Sequence, residues 1–546
     1  KKTPERRQML EDAYNDAFVG YGYSPYDGSF LTLPDLNPNV QPYAHQRNAV
    51  ARILLSDQNT LLCHDVGAGK TYEIIISAHE LKRMGLSEKT LIVVPNNVLQ
   101  ATVEAHHYLY PRDKIQVIYP AKFTAEKRFG ILQDLRDGDY VATYIAYSSF
   151  DLITMSSQYW IEQLEEEIRQ LRNCATVEYR KGLRKMLQEQ VEALCKKLAQ
   201  MRLDAEDPDW PCFEELGITT LIVDESHNYK NIPYNSKADN IVGGNSTGSE
   251  KCRQMLAKCG CVDRVVFATG TPLTNSIADL FVIMTYLQPE ELELRGIDAF
   301  DMWINAFAER ETGYELDVDS RHLRLMTRFN SFRNLTELMS LFSSVCDFHH
   351  VDTQNADLPK WDGYQDIIVP KNAQQEAYIA SLAERVEKVR AKEVPLTEDN
   401  LLKITTDGRK CALDIRLADT ELDEELENSK LIACAREIKK LYDAYPDTCQ
   451  IVFSDIGTPK AGFNVYDCLR TYLTELGIPV EQVAFVHDAA TEAQRSQLFA
   501  DINAGTVRVA IGSTSKLGTG VNVQERLIAL HHLSIPWKPS DIIQRE

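Results

Sequence analysis

Two short segments, His64–Thr71 and Leu221–His227, carry residues suited to handling phosphate. The first reads His64-Asp65-Val66-Gly67-Ala68-Gly69-Lys70-Thr71 and follows an apolar run, Thr60–Cys63. A helical pattern, Thr71–Met84, comes after it. Strand, glycine loop and helix in that order let backbone N–H groups wrap phosphate oxygens. Gly67 and Gly69, with Ala68 between them, allow close approach, and the helix N-terminus adds partial positive charge. Lys70 would reach the β- and γ-phosphates of a nucleotide, and the Thr71 hydroxyl would ligate Mg²⁺. The full pattern G-x-x-x-x-G-K-[ST] is not met, because His64 stands where the first Gly belongs.

The second segment ends the apolar run Thr219–Val223 with Asp224-Glu225-Ser226-His227. Asp224 is suited to hold Mg²⁺ through water, and Glu225 to orient and deprotonate an attacking water. An acidic pair after a strand also serves as a helix N-cap. Lys70, upstream in the same alternating pattern, is what gives the pair its chemical weight. Three further segments fall in order around these two. Tyr43-Ala44-His45-Gln46-Arg47 precedes the loop, and Gln46 can pair with both polar edges of adenine. Taken alone, it reads better as a surface helix glutamine. Ala268-Thr269-Gly270-Thr271-Pro272-Leu273-Thr274-Asn275 is a polar turn after a strand, suited to sensing a γ-phosphate or passing a shift between domains. Ser513-Thr514-Ser515-Lys516-Leu517-Gly518-Thr519-Gly520-Val521-Asn522 is a second glycine-rich turn.

The elements that must position these residues follow an α/β rhythm. Strand-like runs at Thr60–Cys63, Thr90–Val94, Gln116–Tyr119 and Tyr140–Ala146 alternate with amphipathic helices, which predicts a parallel sheet covered on both faces. Residues 158–203 interrupt it. Ile161, Leu164, Ile168 and Leu171, then Leu187, Val191, Leu194, Leu198 and Met201, recur at helical spacing and predict a helical hairpin with coiled-coil character. Its charges, Glu165, Glu166, Glu167, Lys196 and Lys197, read as a solvated face. The pattern resumes at Ile218–Asp224 and Arg264–Thr269, and a second α/β block follows at Gln450–Phe453, Gln482–Val486, Val507–Gly512 and Leu527–Leu533. The expected organisation is an N-terminal extension, 1–40; a first α/β domain, 41–288; a helical linking region, 289–428; and a second, truncated α/β domain, 429–546.

At 546 residues the chain exceeds one core. A net charge of −21 argues against non-specific binding of polyanions by the whole surface, so any nucleic-acid contact needs a local basic groove. No run of about 18 apolar residues suggests a membrane span. The 12 cysteines read as reduced thiols, and Cys252, Cys259 and Cys261 lack the paired spacing of a zinc site. The start, Lys1-Lys2-Thr3-Pro4, has no initiator Met and no signal-peptide h-region, which suggests a fragment or processed product.

The ordered set Gln46, GAGKT, Val93-Val94-Pro95, DESH, TGTPLTN, Ile451-Val452-Phe453-Ser454, GTGVN and Ile543-Gln544-Arg545 resembles the superfamily-two helicases and translocases. The TGTP-x-x-N turn and the DESH box are similar to the Swi/Snf-like branch more than to DEAD-box RNA helicases. A looser likeness is to the helicase region of large methyltransferase–helicase proteins of bacterial mobile elements. The resemblance covers most of 41–290 and 429–546. It implies two RecA-like domains with ATP between them, Mg²⁺ as cofactor and duplex DNA as partner, in a bacterial cytoplasm. A methyltransferase attached in a longer parent chain is a further implied partner. By motif match Lys70, Asp224 and Glu225 serve catalysis, with Thr71 and Asp224 on the metal. Gln46, Gly67, Ala68, Gly69, Lys70 and Thr71 bind ATP. His227, Thr269, Gly270 and Thr271 couple hydrolysis to DNA. Pro95, Asn96, Gly518, Thr519, Gly520 and Asn522 line the DNA track or the cleft. The family's last motif is Q-x-x-G-R-x-x-R, and the sequence stops at Gln544-Arg545-Glu546. Arg545 does not occupy either arginine position of that motif, so weak hydrolysis by this chain is expected. Two alternatives stay open: an ATP-binding module that grips DNA or a partner without productive hydrolysis, and an RNA helicase.

Overall fold

The computed structural model describes residues 26–177, 181–205, 207–234, 248–273, 277–316, 323–351, 362–395, 397–419, 422, 429–489, 491–517 and 523–545. The chain forms two compact units, Lys1–Glu309 with Phe329–Val351, and Arg310–Arg328 with Asp352–Glu546.

The first unit is built on one seven-stranded sheet. β1 (Thr60–His64), β2 (Thr90–Val94), β3 (Ile115–Ile118), β4 (Ala142–Ala146), β5 (Thr220–Val223) and β6 (Arg264–Ala268) are joined by crossovers. β7 (Ala308–Leu316) and β8 (Leu323–Phe332) make a separate two-stranded sheet, which reaches into the second unit's residues. β9 (Cys346–His349) returns to the large sheet. The strand order is β3-β4-β2-β5-β6-β1-β9, with every pairing parallel.

Runs such as Thr-Leu-Ile-Val-Val form strands buried on both faces, since each crossover helix covers a face. Successive side chains alternate between the two sides. Leu61, Leu91 and Val93 join a core with Phe150, Leu216, Met284 and Trp303, while Leu62, Ile92 and Val94 join Val50, Ile53, Ile75 and Tyr144 on the other face. Each fully buried Leu or Ile contributes about 1.5–3 kcal/mol relative to exposure, an upper figure for a realistic unfolded chain. Because all strands run the same way, their C-terminal ends lie along one edge, where loops carry chemistry in such sheets.

The interruption is two helices, Ser157–Val177 and Lys181–Leu203. Ile161, Leu164 and Ile168 are buried along their seam, and Glu165, Glu167, Lys196 and Lys197 are exposed. The side chain of Leu187 lies outside the described residues.

Within 289–428, expected as a helical linking region, the described residues include helices and the strands β7, β8 and β9. The helices Pro289–Leu294, Phe300–Phe307 and Leu335–Val345 pack in the first unit, burying Leu292, Trp303 and Leu338 in its core. β9 then extends the sheet beside β1, with Leu62 opposite Asp347 and His64 opposite His349. A four-residue strand with one acidic and one histidine position does not announce itself in sequence. Pairing with β1 across more than 280 intervening residues is what fixes it.

In the second unit the helices Ala373–Arg390 and Leu401–Leu413 lead to Lys430–Ala444 and a four-stranded sheet. Its strands are β10 (Cys449–Phe453), β11 (Val483–Phe485), β12 (Val509–Gly512) and β13 (Leu527–His532), in the order β11-β12-β10-β13, all parallel. The α/β class read from the sequence is therefore present in both units. Among the described residues no helix is long and apolar enough to cross a membrane.

Candidate functional site

The loops after β1, β2, β4, β5, β6 and β9 gather at one edge of the first sheet. After β1 the chain turns through Gly67, at φ 83°, and Gly69, at φ 90°, before the helix Lys70–Arg83 starts. Gly69 is required twice over: its φ is left-handed, and a Cβ there would lie 2.3 Å from Gln46 Nε2. Gln46 itself is buried, donates to the Gly69 carbonyl at 3.3 Å and accepts from the Tyr43 N–H at 2.9 Å. The neighbouring His45 donates to the Ala68 carbonyl across 2.9 Å. The segment before the loop thus braces it from outside. Lys70 Nζ donates to the carbonyls of His64, at 2.8 Å, and Asp65, at 2.9 Å. Thr71 follows in the first helical turn.

At the end of β5, the Asp224 N–H bonds to Val93 O at 2.9 Å. Glu225 takes a left-handed backbone, φ 51°, strained for a non-glycine residue. The Tyr147 hydroxyl supports this turn by donating to the carbonyls of Asp224 and Glu225. Burial and the adjacent Glu225 charge push the Asp224 carboxyl up to about 7, with Lys70 pulling the other way. Burial would raise Glu225 too, but His227 and Lys70 together hold it below the usual glutamate range.

His227 Nδ1 lies 3.1 Å from Glu225 Oε2 and 3.1 Å from Thr269 Oγ1. Thr269 Oγ1 in turn accepts from the Thr271 N–H at 3.1 Å. Gly270 passes so close to the phosphate loop that a Cβ would lie 3.0 Å from Val66 Cγ2. Lys230 Nζ fastens the turn to the helix Ala278–Leu287, with Pro272 O at 3.0 Å and Asp279 Oδ2 at 3.2 Å. Among the described residues the buried Thr271 hydroxyl has no hydrogen-bond partner. After β2, Asn96 exchanges bonds with Ser148, Nδ2 to Oγ at 2.8 Å, and the Pro95 carbonyl accepts from Val98 N–H at 3.1 Å.

One sheet edge thus brings together Gln46, Gly67, Ala68, Gly69, Lys70, Thr71, Pro95, Asn96, Asp224, Glu225, His227, Thr269, Gly270 and Thr271. Thr274, Asn275, Gly518, Thr519, Gly520 and Asn522 lie outside the described residues. Arg545 belongs to the second unit, where its buried guanidinium is 2.6 Å from Asp455 Oδ2 and donates to Thr514 Oγ1 at 2.9 Å and Ser534 O at 2.9 Å. It ties the loops after β10, β12 and β13 together.

Sequence reasoning passed over Tyr147, Lys230, Asp279 and the residues of β9. Asp65 N–H bonds to His349 O at 3.0 Å, and Asp65 Oδ2 accepts from Val351 N–H at 2.9 Å, so β9 holds one side of the phosphate loop. The one sequence signal was His64 itself, a bulky residue at a position that usually takes glycine.

The family described as Probable helicase domain matches residues 52–350, more than half of the 546, and the chain belongs to that family. The matched span closes just past β9, which agrees with the limit of the first unit. The chain is 22% identical over 390 residues to the Defense against restriction protein B of Escherichia phage P1, covering 62% of this chain and 17% of that protein. It therefore spans a small part of the length of that relative. Among solved structures it is similar to the Sulfolobus solfataricus SWI2/SNF2 ATPase core in complex with dsDNA, at 15% identity, with 92% of this chain and 90% of that chain covered and a TM-score of 0.36. For the Sulfolobus solfataricus SWI2/SNF2 ATPase core domain alone the identity is 12%, the coverage 93% and 89%, and the TM-score 0.33. With scores of this size, the fold rests on the sheets described above.

Proposed function

We infer that the first unit binds and hydrolyses Mg-ATP at the edge of its large sheet, and that the chain is the motor core of a duplex-DNA translocase of the Swi/Snf-like kind. The observation that carries this reading is the continuous path from Lys70 through Asp224 and Glu225 to His227, Thr269 and Thr271. Lys70 acts on both carboxylates through its charge, and Glu225, His227, Thr269 and Thr271 are linked in turn by contacts of 3.1 Å.

The residues fit the nucleotide. Gly67 and Gly69 shape the loop through left-handed backbone turns, and among the described residues Lys70 donates to two main-chain carbonyls, which a triphosphate can replace. The buried Thr271 hydroxyl has an unused bond for a γ-phosphate. They also fit magnesium. The Thr71 hydroxyl and the half-buried Asp224 carboxylate are hard oxygen donors, and the raised Asp224 pKa is that of an acid short of positive charge. The ion would neutralise charge on the phosphates. Glu225, kept ionised by His227 and Lys70, is the group able to take a proton from water.

Steady-state phosphate release by the full chain, with duplex DNA, single-stranded DNA or RNA, tests the reading. Stimulation by duplex DNA above the other two supports it. Preference for RNA supports the RNA-helicase alternative, and nucleotide binding with no turnover under any condition supports the gripping module.

A further inference from the structure

The phosphate loop begins on a buried charged cluster. The His64 side chain turns inward and is 1% exposed, its Nδ1 2.9 Å from Glu73 Oε1 and its Nε2 3.6 Å from Asp347 Oδ2. The second contact is an ion-pair distance, longer than a hydrogen bond, and among the described residues Nε2 has no hydrogen-bond partner. Glu73 lies on the helix that Lys70 begins, and Asp347 lies on β9. His45 also faces this pair, 3.9 Å from Glu73 Oε1, with its ring stacked on His349 at 3.8 Å. Burial disfavours a charged imidazole, but the two carboxylates outweigh it and hold the His64 pKa at about 9. The cluster is a histidine set between two buried acidic side chains.

We propose that His64, Glu73 and Asp347 are positioning residues for the phosphate loop, a buried strut that sets where Lys70 meets a polyphosphate. The proposal rests on the nucleotide-binding reading above. Its geometry is direct. The His64 carbonyl accepts from Lys70 Nζ at 2.8 Å, so the residue that the two carboxylates grip by its side chain holds the lysine by its backbone. The strut joins three pieces of chain: the end of β1, the first turns of the loop's helix, and the edge strand. Its electrostatics point the same way. Two buried acidic side chains stand beside a loop that must accept several negative charges, and His64 is the basic side chain set between them. A glycine at position 64 would give the loop freedom; a buried side chain hydrogen-bonded to Glu73 through Nδ1 and facing Asp347 through Nε2 gives it one shape.

The test is titration of the full chain with a fluorescent ATP analogue, reading both dissociation constant and stoichiometry, for Lys70→Ala, His64→Gln, Asp347→Asn and Asp347→Glu. Reading both matters because a merely structural defect lowers the number of competent sites and leaves the affinity of the remainder unchanged. The expected result is a dissociation constant raised roughly tenfold or more in His64→Gln and Asp347→Asn at near-parental stoichiometry, with Asp347→Glu recovering most of the loss. If Lys70→Ala loses binding while His64→Gln and Asp347→Asn keep the parental constant, the strut is overturned and the nucleotide reading stands. Reduced stoichiometry at unchanged affinity overturns it as well. Parental binding by Lys70→Ala overturns both.

Discussion

Nδ1 of His227 lies 3.1 Å from Oε2 of Glu225. The same nitrogen is 3.1 Å from the Thr269 hydroxyl, and it can satisfy only one of them fully. Protonated, Nδ1 donates to the Glu225 carboxylate; unprotonated, it accepts from Thr269. A change at the carboxylate is therefore felt at the turn after β6. Thr269→Val, which removes the hydroxyl at nearly constant volume, should leave basal phosphate release near the parental rate and abolish its stimulation by duplex DNA. Parental stimulation in this variant would show that coupling runs elsewhere.

Glu225→Gln should retain nucleotide and lose turnover. The amide keeps the shape of the side chain but accepts no proton, so phosphate release should fall by about 10²–10⁴. Binding of a fluorescent ATP analogue should stay close to that of the parent. An active Glu225→Gln enzyme would mean that the base is another group.

Lys70→Ala should act earlier, at binding. The ammonium already spans two carbonyls of its own loop, at 2.8 and 2.9 Å, so it is held in place before ligand arrives. Its loss should weaken nucleotide affinity by roughly tenfold or more. Equal affinity in variant and parent would remove the loop from the nucleotide site.

Replacing residues 158–203 with a short Gly/Ser linker should leave basal turnover near normal. Both ends of the hairpin are fastened at its root rather than at the sheet edge that carries the chemistry. Ser157 N–H bonds to Asp207 Oδ1 at 2.6 Å, and the Arg253 guanidinium stacks 4.1 Å over Trp160. Loss of basal turnover with an unchanged circular-dichroism spectrum would place the hairpin within the catalytic machinery.

Stability should carry a signature of His64 that differs in sign from that of an ordinary buried histidine. Its folded pKa, about 9, lies above its ordinary 6.5 because Glu73 and Asp347 face it, with His45, His349 and Lys70 the other titratable groups nearby. The folded state binds the proton more tightly, so this contribution is complete below pH 6.5 and is lost as pH rises through about 9. The span corresponds to roughly 3 kcal/mol. Denaturant midpoints of parent and His64→Gln should differ most near pH 6 and converge toward pH 9.5. A gap that is constant with pH would mean that His64 is not charged in the folded protein.

The site was legible in sequence to the extent that its chemistry is local. Gly69, Lys70 and Thr71 are adjacent, and so are Asp224 and Glu225. Each group sits where a buried apolar strand ends, so type and spacing pointed to its place at the sheet edge. The turn at Thr269–Thr271 was legible by the same rule. Contacts made across the sheet were not. Tyr147 reaches Glu225 over 78 positions, and Arg52 reaches Ser343 over 291, with nothing in either neighbourhood to mark the partner. Cys346-Asp347-Phe348-His349 is too short and too mixed to read as a strand, and only the open side of β1 gives it a place. The strands β7 and β8 were lost for a related reason, since charged residues such as Glu309, Arg310 and Glu311 read as helix surface.

The position of β9 also bears on how the protein is made. As the chain leaves the ribosome, β1 gains β6 on one side once residue 268 has emerged, but its other side stays open until residue 349. Through that interval a strand of Thr-Leu-Leu-Cys-His offers unpaired backbone groups to any passing partner, the usual hazard of an exposed edge. Over the same interval His64 and Glu73 wait for Asp347. The phosphate loop can take its final shape only after the last strand of its sheet has been synthesised, so the nascent first unit is expected to become competent for nucleotide late and all at once.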